Sequence, residues 1–280
     1  GHQLFLLGTL LHALIMVRVI VVRHGERLDE SDSTLWEKIR TQETMHDPPL
    51  TAVGWEQAER AGTALANVLP GHSALKVYCS PTDRTISTAA GLLTGIGHAS
   101  SEITPCYSLN CCEAAQIHGV ANAFPKQEKP SLETTAGFAL ACWPPMGNAV
   151  EVDKNQSNGS GFVEAVKAIA ETHKDHEVIL MVTHREGVWQ LQEHVGMQVN
   201  AGYCHTSYYT YDSSKNTLAS WDPASNPSRG TSQMLPDTTE KVYEIAAAMQ
   251  VSTQLVKACV AICAKLKDST QSLLLHAAAF

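Results

Sequence analysis

Residues 17–27 read VRVIVVRHGER, a run of β-branched residues that leads straight into Arg23-His24-Gly25. Val and Ile favour extended, pleated backbone, so the run predicts a strand. That strand delivers a histidine to its C-terminal edge, with Arg23 and Arg27 beside it and Gly25 letting the backbone turn. These residue types suit attack on a phosphate. Imidazole can act as nucleophile, guanidinium forks can hold oxygens, and glycine lets backbone N–H groups approach. The plainer reading is a histidine that merely ends a buried strand, with the arginines as surface charge.

Two further segments strengthen the first reading. Residues 77–89, VYCSPTDRTISTA, predict a strand, a Ser-Pro turn and a helix start that carries Arg84 in its first turn. A helix N-terminus offers free N–H groups and a positive dipole end, so an arginine there extends an anion site. Residues 178–188, VILMVTHREGV, predict a third strand with His184 at its C-terminal end. Open α/β sheets bind ligands outside the carboxyl ends of their strands. Three strand ends offering Arg-His, Arg and His therefore point to one phosphate site.

With these segments in this order, the chain resembles the histidine phosphatase superfamily, also called the phosphoglycerate mutase-like family. The matching marks are Arg23-His24-Gly25, Arg84 after a Ser-Pro turn, and the late His184. The segment LTAVGWEQA, residues 50–58, adds Leu50, Thr51, Gly54, Gln57 and Ala58 of an LTxxGxxQA helix start. The resemblance runs from about residue 17 to about residue 212. Within the family, RHGER, DPPLTAVG and VYCSP look closest to the phosphatase domain of the Sts/TULA proteins. The resemblance implies an α/β fold: a three-layer α/β/α sandwich with a mostly parallel central sheet, extended by a C-terminal helical region. It implies that His24 attacks phosphorus while Arg23, Arg27, Arg84 and His184 bind the equatorial oxygens. Neither cofactor nor metal is expected, because arginines do that work. Glu113 falls where the family's catalytic glutamate follows the third strand and is the first candidate for general acid; Glu186 is the alternative. Burial is what would suit such an acid to near-neutral pH.

Hydrolysis and mutase-type transfer use the same pocket. Glycolytic mutases continue RHGE with Ser, whereas this chain continues Arg27-Leu28-Asp29, which favours a phosphomonoester hydrolase. A catalytically silent phospho-ligand binder is the rival from another class, and the intact His-Arg set counts against it. The substrate is a phosphomonoester, either a small molecule or a phosphoprotein.

Net charge is −8, from 20 basic and 28 acidic residues, which argues against general nucleic-acid or anionic-membrane binding. Eight cysteines without a C-x-x-C pair read as free thiols in a reducing, cytoplasmic setting. Thirteen histidines carry no metal-site spacing, and His205 is a candidate only for the pocket rim.

Three parts are expected. Residues 1–16 form an apolar N-terminal extension or upstream remnant, too short to span a bilayer comfortably. The catalytic domain covers 17–222, and a linker with a helical extension covers 223–280. That extension carries an apolar stripe from Val242 to Leu266, which either docks on its own domain or forms a homodimer. Residues 28–49 read as a long, polar connection suited to a lid, and 114–160 as an irregular insertion over the site.

Overall fold

The computed structural model describes residues 16–69, 75–98, 101–118, 129–146, 160–173 and 178–223. The stripe from Val242 to Leu266 and the extension 1–15 lie outside them. Its centre is a six-stranded sheet formed by β1 (Met16–Arg23), β2 (Leu75–Cys79), β3 (Ile103–Pro105), β4 (Val178–Thr183), β5 (Thr206–Asp212) and β6 (Thr217–Ser220). The spatial order is β3-β2-β4-β1-β5-β6. Pairing is parallel from β3 through β1 and turns antiparallel at β5 and β6. The mostly parallel sheet expected from the sequence is therefore present.

β1 and β4 carry the core because both of their faces are covered. Val17, Val19, Val21, Ile179 and Met181 face one apolar layer, which includes Phe162 and Val166 of α6 (Ser160–Glu171) and Leu191 of α7 (Arg185–His194). Ile20, Val22, Leu180 and Val182 face the other, with Leu65 of α3 (Ala52–Ala66) and Ile86 and Leu92 of α4 (Asp83–Ile96). Burial on both faces is why these strands read as continuous Val/Ile/Leu runs rather than alternating ones. β5 keeps the alternation, with Ser207, Tyr209 and Tyr211 inside and their neighbours only half buried.

The stretch 28–49 is more regular than its polar sequence suggested. It holds α1 (Leu28–Ser31) and α2 (Ser33–Ile39), and Asp32 caps α2 by accepting from the Leu35 N–H at 2.9 Å. Trp36 is the buried anchor of α2. Of the expected insertion 114–160, Ala114, Ile117 and His118 line the cleft at the strand ends, whereas 129–146 pair with the sheet edge instead of covering the site. Ala139 and Ala141 exchange backbone bonds with Ile103, and Met146 exchanges bonds with Pro105 and Tyr107. These satisfy groups on the outer edge of β3 that would otherwise be unpaired.

The helix start LTAVGWEQA locks the turn after β1. Thr51 caps α3 by accepting from the Gly54 N–H at 2.9 Å, and its hydroxyl donates to Glu26 Oε1 at 2.8 Å. Gln57 Oε1 accepts from the Glu26 N–H at 2.9 Å, and the Thr51 N–H donates to the Glu26 carbonyl at 3.0 Å. The backbones come so close that a Cβ on Gly54 would lie 2.2 Å from the Glu26 carbonyl oxygen, and one on Gly25 would lie 2.5 Å from that of Gly54. Only glycine fits at either position. Gly54→Ala should therefore destabilise the fold by about 1–3 kcal/mol in urea titration, and a variant as stable as the parent would contradict this packing.

Candidate active site

A cleft of about 310 Å³ opens at the carboxyl ends of β1, β2 and β4. Arg23, His24, Arg27, Arg84, Glu113 and His184, named from the sequence, all line it, as does Glu186. The parallel register explains the meeting of the two histidines. Arg23 pairs with Thr183, and the His24 N–H donates to the Thr183 carbonyl at 3.0 Å. The next residue of each strand is thus a histidine, and their ring centroids lie 5.5 Å apart.

His24 is 2% exposed, and its Nδ1 lies 2.8 Å from the Gly25 carbonyl. A carbonyl can only accept, so Nδ1 carries the proton and Nε2 keeps its lone pair. His184 Nε2 lies 2.8 Å from the Ser80 hydroxyl, and its Nδ1 lies 3.4 Å from Arg84 Nη2. A guanidinium can only donate, so here Nδ1 accepts and Nε2 carries the proton toward Ser80. Because that hydroxyl can also donate, the opposite tautomer is open to His184 when an anion meets Nδ1. Burial pushes both imidazoles well below their usual range, with repulsion from the Arg84 cation as the next cause. Both rings are neutral at pH 7.

Arg84 is 1% exposed in the first turn of α4. Its Nη1 donates to Asp47 Oδ1 at 2.9 Å and to the His46 carbonyl at 3.2 Å, whereas Nε has no acceptor among the described residues. Asp47 also accepts from the Asp83 N–H at 3.0 Å. One edge of the guanidinium is thereby fixed to the segment before α3. Burial pushes the Asp47 carboxyl upward, against the pull of Arg84. The sequence reading placed Asp47 only within a polar connection. Its signal was the Asp-Pro-Pro turn just ahead of the α3 cap.

Arg23 Nη1 donates to the Ala201 carbonyl at 2.7 Å, its guanidinium stacks 4.2 Å over the Tyr203 ring, and its Nε has no acceptor among the described residues. The Gly25 N–H donates to the Thr88 hydroxyl at 3.0 Å, and that hydroxyl donates to the Arg84 carbonyl at 2.7 Å. This chain of bonds ties the turn after β1 to α4.

Other candidates stand differently from expectation. Arg27 lines the cleft, but its guanidinium already faces Asp29 at 2.9 Å and Glu30 at 3.1 Å. The Tyr203 hydroxyl donates to Glu30. Glu113 begins α5 (Glu113–His118) on an exposed part of the rim, so the burial expected of a general acid is not present. Glu186 lies 2.9 Å from the Arg185 guanidinium. His205 does not line the cleft. Its carbonyl accepts the Arg23 N–H at 3.1 Å, which makes it backbone support for the site. Among the described residues, no group of three or more His, Cys, Asp or Glu side chains is placed to hold a metal ion, and no helix is long and apolar enough to cross a membrane.

Comparisons with known proteins agree with this architecture. A phosphoglycerate mutase family protein of Acanthamoeba polyphaga mimivirus is 39% identical over 79 residues, covering 28% of this chain and 37% of that protein. The match thus spans little more than a third of that relative. The ecdysone phosphate phosphatase of Bombix mori, solved with tungstate, superposes with a TM-score of 0.53 at 20% identity, over 79% of this chain and 97% of that one. A phosphoglycerate mutase from Bacillus anthracis gives a TM-score of 0.45 at 16% identity, over 74% and 92% of the two chains. The decisive match is to the family model of the histidine phosphatase superfamily, branch 1, which spans residues 19–222, and the chain belongs to that superfamily.

Proposed function

We propose that the protein is a metal-independent phosphomonoester hydrolase working through a phosphohistidine on His24. The observation that carries this reading is the bond from His24 Nδ1 to the Gly25 carbonyl inside an arginine-lined cleft. It leaves Nε2 unprotonated and buried where a phosphate dianion would be drawn.

In the first step Nε2 attacks phosphorus, and the N–P bond forms as the ester P–O bond breaks. Arg23, Arg84 and His184 hold the equatorial oxygens, where charge is spread in a loose transition state. A carboxyl of the lining, Glu113 or in its place Glu186, gives its proton to the departing alkoxide. In the second step the same carboxylate takes a proton from water, whose oxygen attacks phosphorus and breaks the N–P bond. Inorganic phosphate leaves and His24 is restored. Arg27 joins the phosphate ligands where substrate charge outcompetes Asp29 and Glu30. The kinship with the Sts/TULA-type domain belongs to the same reading, supported by RHGER, DPPLTAVG and VYCSP. So does a cytoplasmic setting, supported by the six described cysteines being thiols.

Steady-state hydrolysis of para-nitrophenyl phosphate without added metal tests the proposal. His24→Ala should lower turnover by at least about 1000-fold, and turnover surviving in that variant would overturn it. The pH profile carries a second expectation. Burial and Arg84 hold His24 and His184 below the ordinary imidazole value near 6.5. The nucleophile therefore stays deprotonated as pH falls through 6.5, and no loss of kcat/KM should centre there. The unfolded chain does take up those protons near pH 6.5. The stability these two rings contribute is thus present above that pH and lost as pH falls toward their folded values, by up to about 1.4 kcal/mol per ring per pH unit.

Asp47 gives an independent test. Asp47→Asn keeps the shape but weakens the hold on Arg84. It should lower kcat/KM by about 10- to 100-fold and weaken inhibition by tungstate in parallel. Unchanged kinetics would mean that Arg84 needs no such anchor.

A further inference from the structure

Building on the phosphatase reading, we infer that the cleft selects phosphomonoesters whose alcohol part is apolar and carries no negative charge. Two independent features of the mouth carry this, one electrostatic and one apolar.

The cations are divided between floor and rim. Arg23 and Arg84 are buried on the floor beside the two histidines, and among the described residues the Nε of each, like that of Arg27, has no hydrogen-bond acceptor. Arg27 and Arg185 stand on the rim, and both are already faced by carboxylates. Arg27 meets Asp29 at 2.9 Å and Glu30 at 3.1 Å, and Arg185 meets Glu186 at 2.9 Å while stacking 4.7 Å over Trp189. Glu113 adds a further carboxylate, and among the described lining residues there is no lysine. Those residues carry four arginines and the four carboxylates Asp29, Glu30, Glu113 and Glu186. On the floor Arg84 has Asp47 on one edge only, and Arg23 has no carboxylate within ion-pair distance among the described residues. One phosphate group placed on the floor is well met. A second phosphate or a carboxylate on the same substrate would sit among rim carboxylates whose arginine partners are engaged, and like charges there disfavour it.

The remaining wall mixes apolar side chains with two imidazoles, His46 and His118. Met45 and Pro48 come from the segment before α3, and Ala114 and Ile117 from α5. Ile117 is 53% exposed, a large aliphatic side chain left in water beside an anion site. Between these groups the His46 and His118 rings stack with centroids 5.2 Å apart. Burial, then His118, Arg40 and Arg84, push His46 below the ordinary imidazole range, so this ring adds no cation for a second anionic group. An apolar alcohol moiety would cover Ile117 and Met45 as its phosphate reaches His24, and that burial favours binding.

The test compares kcat/KM for phenyl phosphate, its 4-carboxy analogue and glycerol phosphate, using the whole chain. The carboxylated phenol is no poorer a leaving group, so intrinsic reactivity does not favour the expected result. Phenyl phosphate should be preferred over its carboxylated analogue by about tenfold at low salt, with the gap narrowing as salt screens the rim. Glu30→Gln combined with Glu186→Gln should narrow it further. Ile117→Asp should raise KM for phenyl phosphate more than for glycerol phosphate. Equal or reversed preference between the two aryl esters, with phenyl phosphate still hydrolysed, would overturn the charge argument and leave the phosphatase reading intact. Glycerol phosphate turned over as well as phenyl phosphate would overturn the apolar half. Hydrolysis of none of the three would overturn the phosphatase reading and this inference with it.

Discussion

His24 and His184 stand side by side because β1 and β4 are parallel neighbours in a single register, with Arg23 opposite Thr183. The bond from the His24 N–H to the Thr183 carbonyl extends that ladder by one step beyond the last paired residues. A slip of one residue would turn every core side chain of β1 to the opposite face, so burial on both faces holds the register fixed. The positions of His24 and His184 are therefore set by the packing of Val, Ile, Leu and Met below the cleft. The site itself has no need to supply that precision.

What the site does supply is a way to keep cations together. Arg23 and Arg84 are buried beside two imidazoles, an arrangement that like-charge repulsion and desolvation both oppose. Three features offset this cost. The histidines are neutral, so they add hydrogen-bonding capacity without charge. Arg84 has Asp47 on one edge, and Arg23 has the Tyr203 ring and the Ala201 carbonyl. The partners lie to one side of each guanidinium, and among the described residues each Nε has no acceptor. A bound phosphate would complete both sets, which is the physical sense in which the cleft is poised for a dianion.

The strand ends were legible in the sequence because they are local: a Val/Ile run followed by Arg-His-Gly, a Ser-Pro turn before Arg84, and a Val/Ile/Leu run before His184. The segment Leu50–Ala58 was legible for the same reason, and Thr51, Gly54 and Gln57 prove to dock α3 onto the turn after β1. Asp47 was not legible as part of the site, since its partner Arg84 lies 37 residues away and across a strand. α1 and α2, at four and seven residues, are too short for helical periodicity to stand out in a polar stretch. His205 drew notice as a rim ring, but its ring meets Gln192 Nε2 at 3.1 Å and it supports the site through its carbonyl, which no residue type reveals. Glu113 was placed at the cleft by resemblance, yet its exposure depends on how α5 meets the rim, and that is a tertiary matter.

The central claim is that phosphorus becomes bonded to His24. Rapid mixing with a good phosphate-ester substrate, followed by alkaline quench, digestion and peptide mass analysis, tests it directly. The account predicts an acid-labile, alkali-stable phosphoryl group on the peptide that contains His24, formed before inorganic phosphate is released at its steady rate. Hydrolysis that proceeds at full rate with no phosphoryl group ever trapped on that peptide, or with the group on another residue, would contradict it.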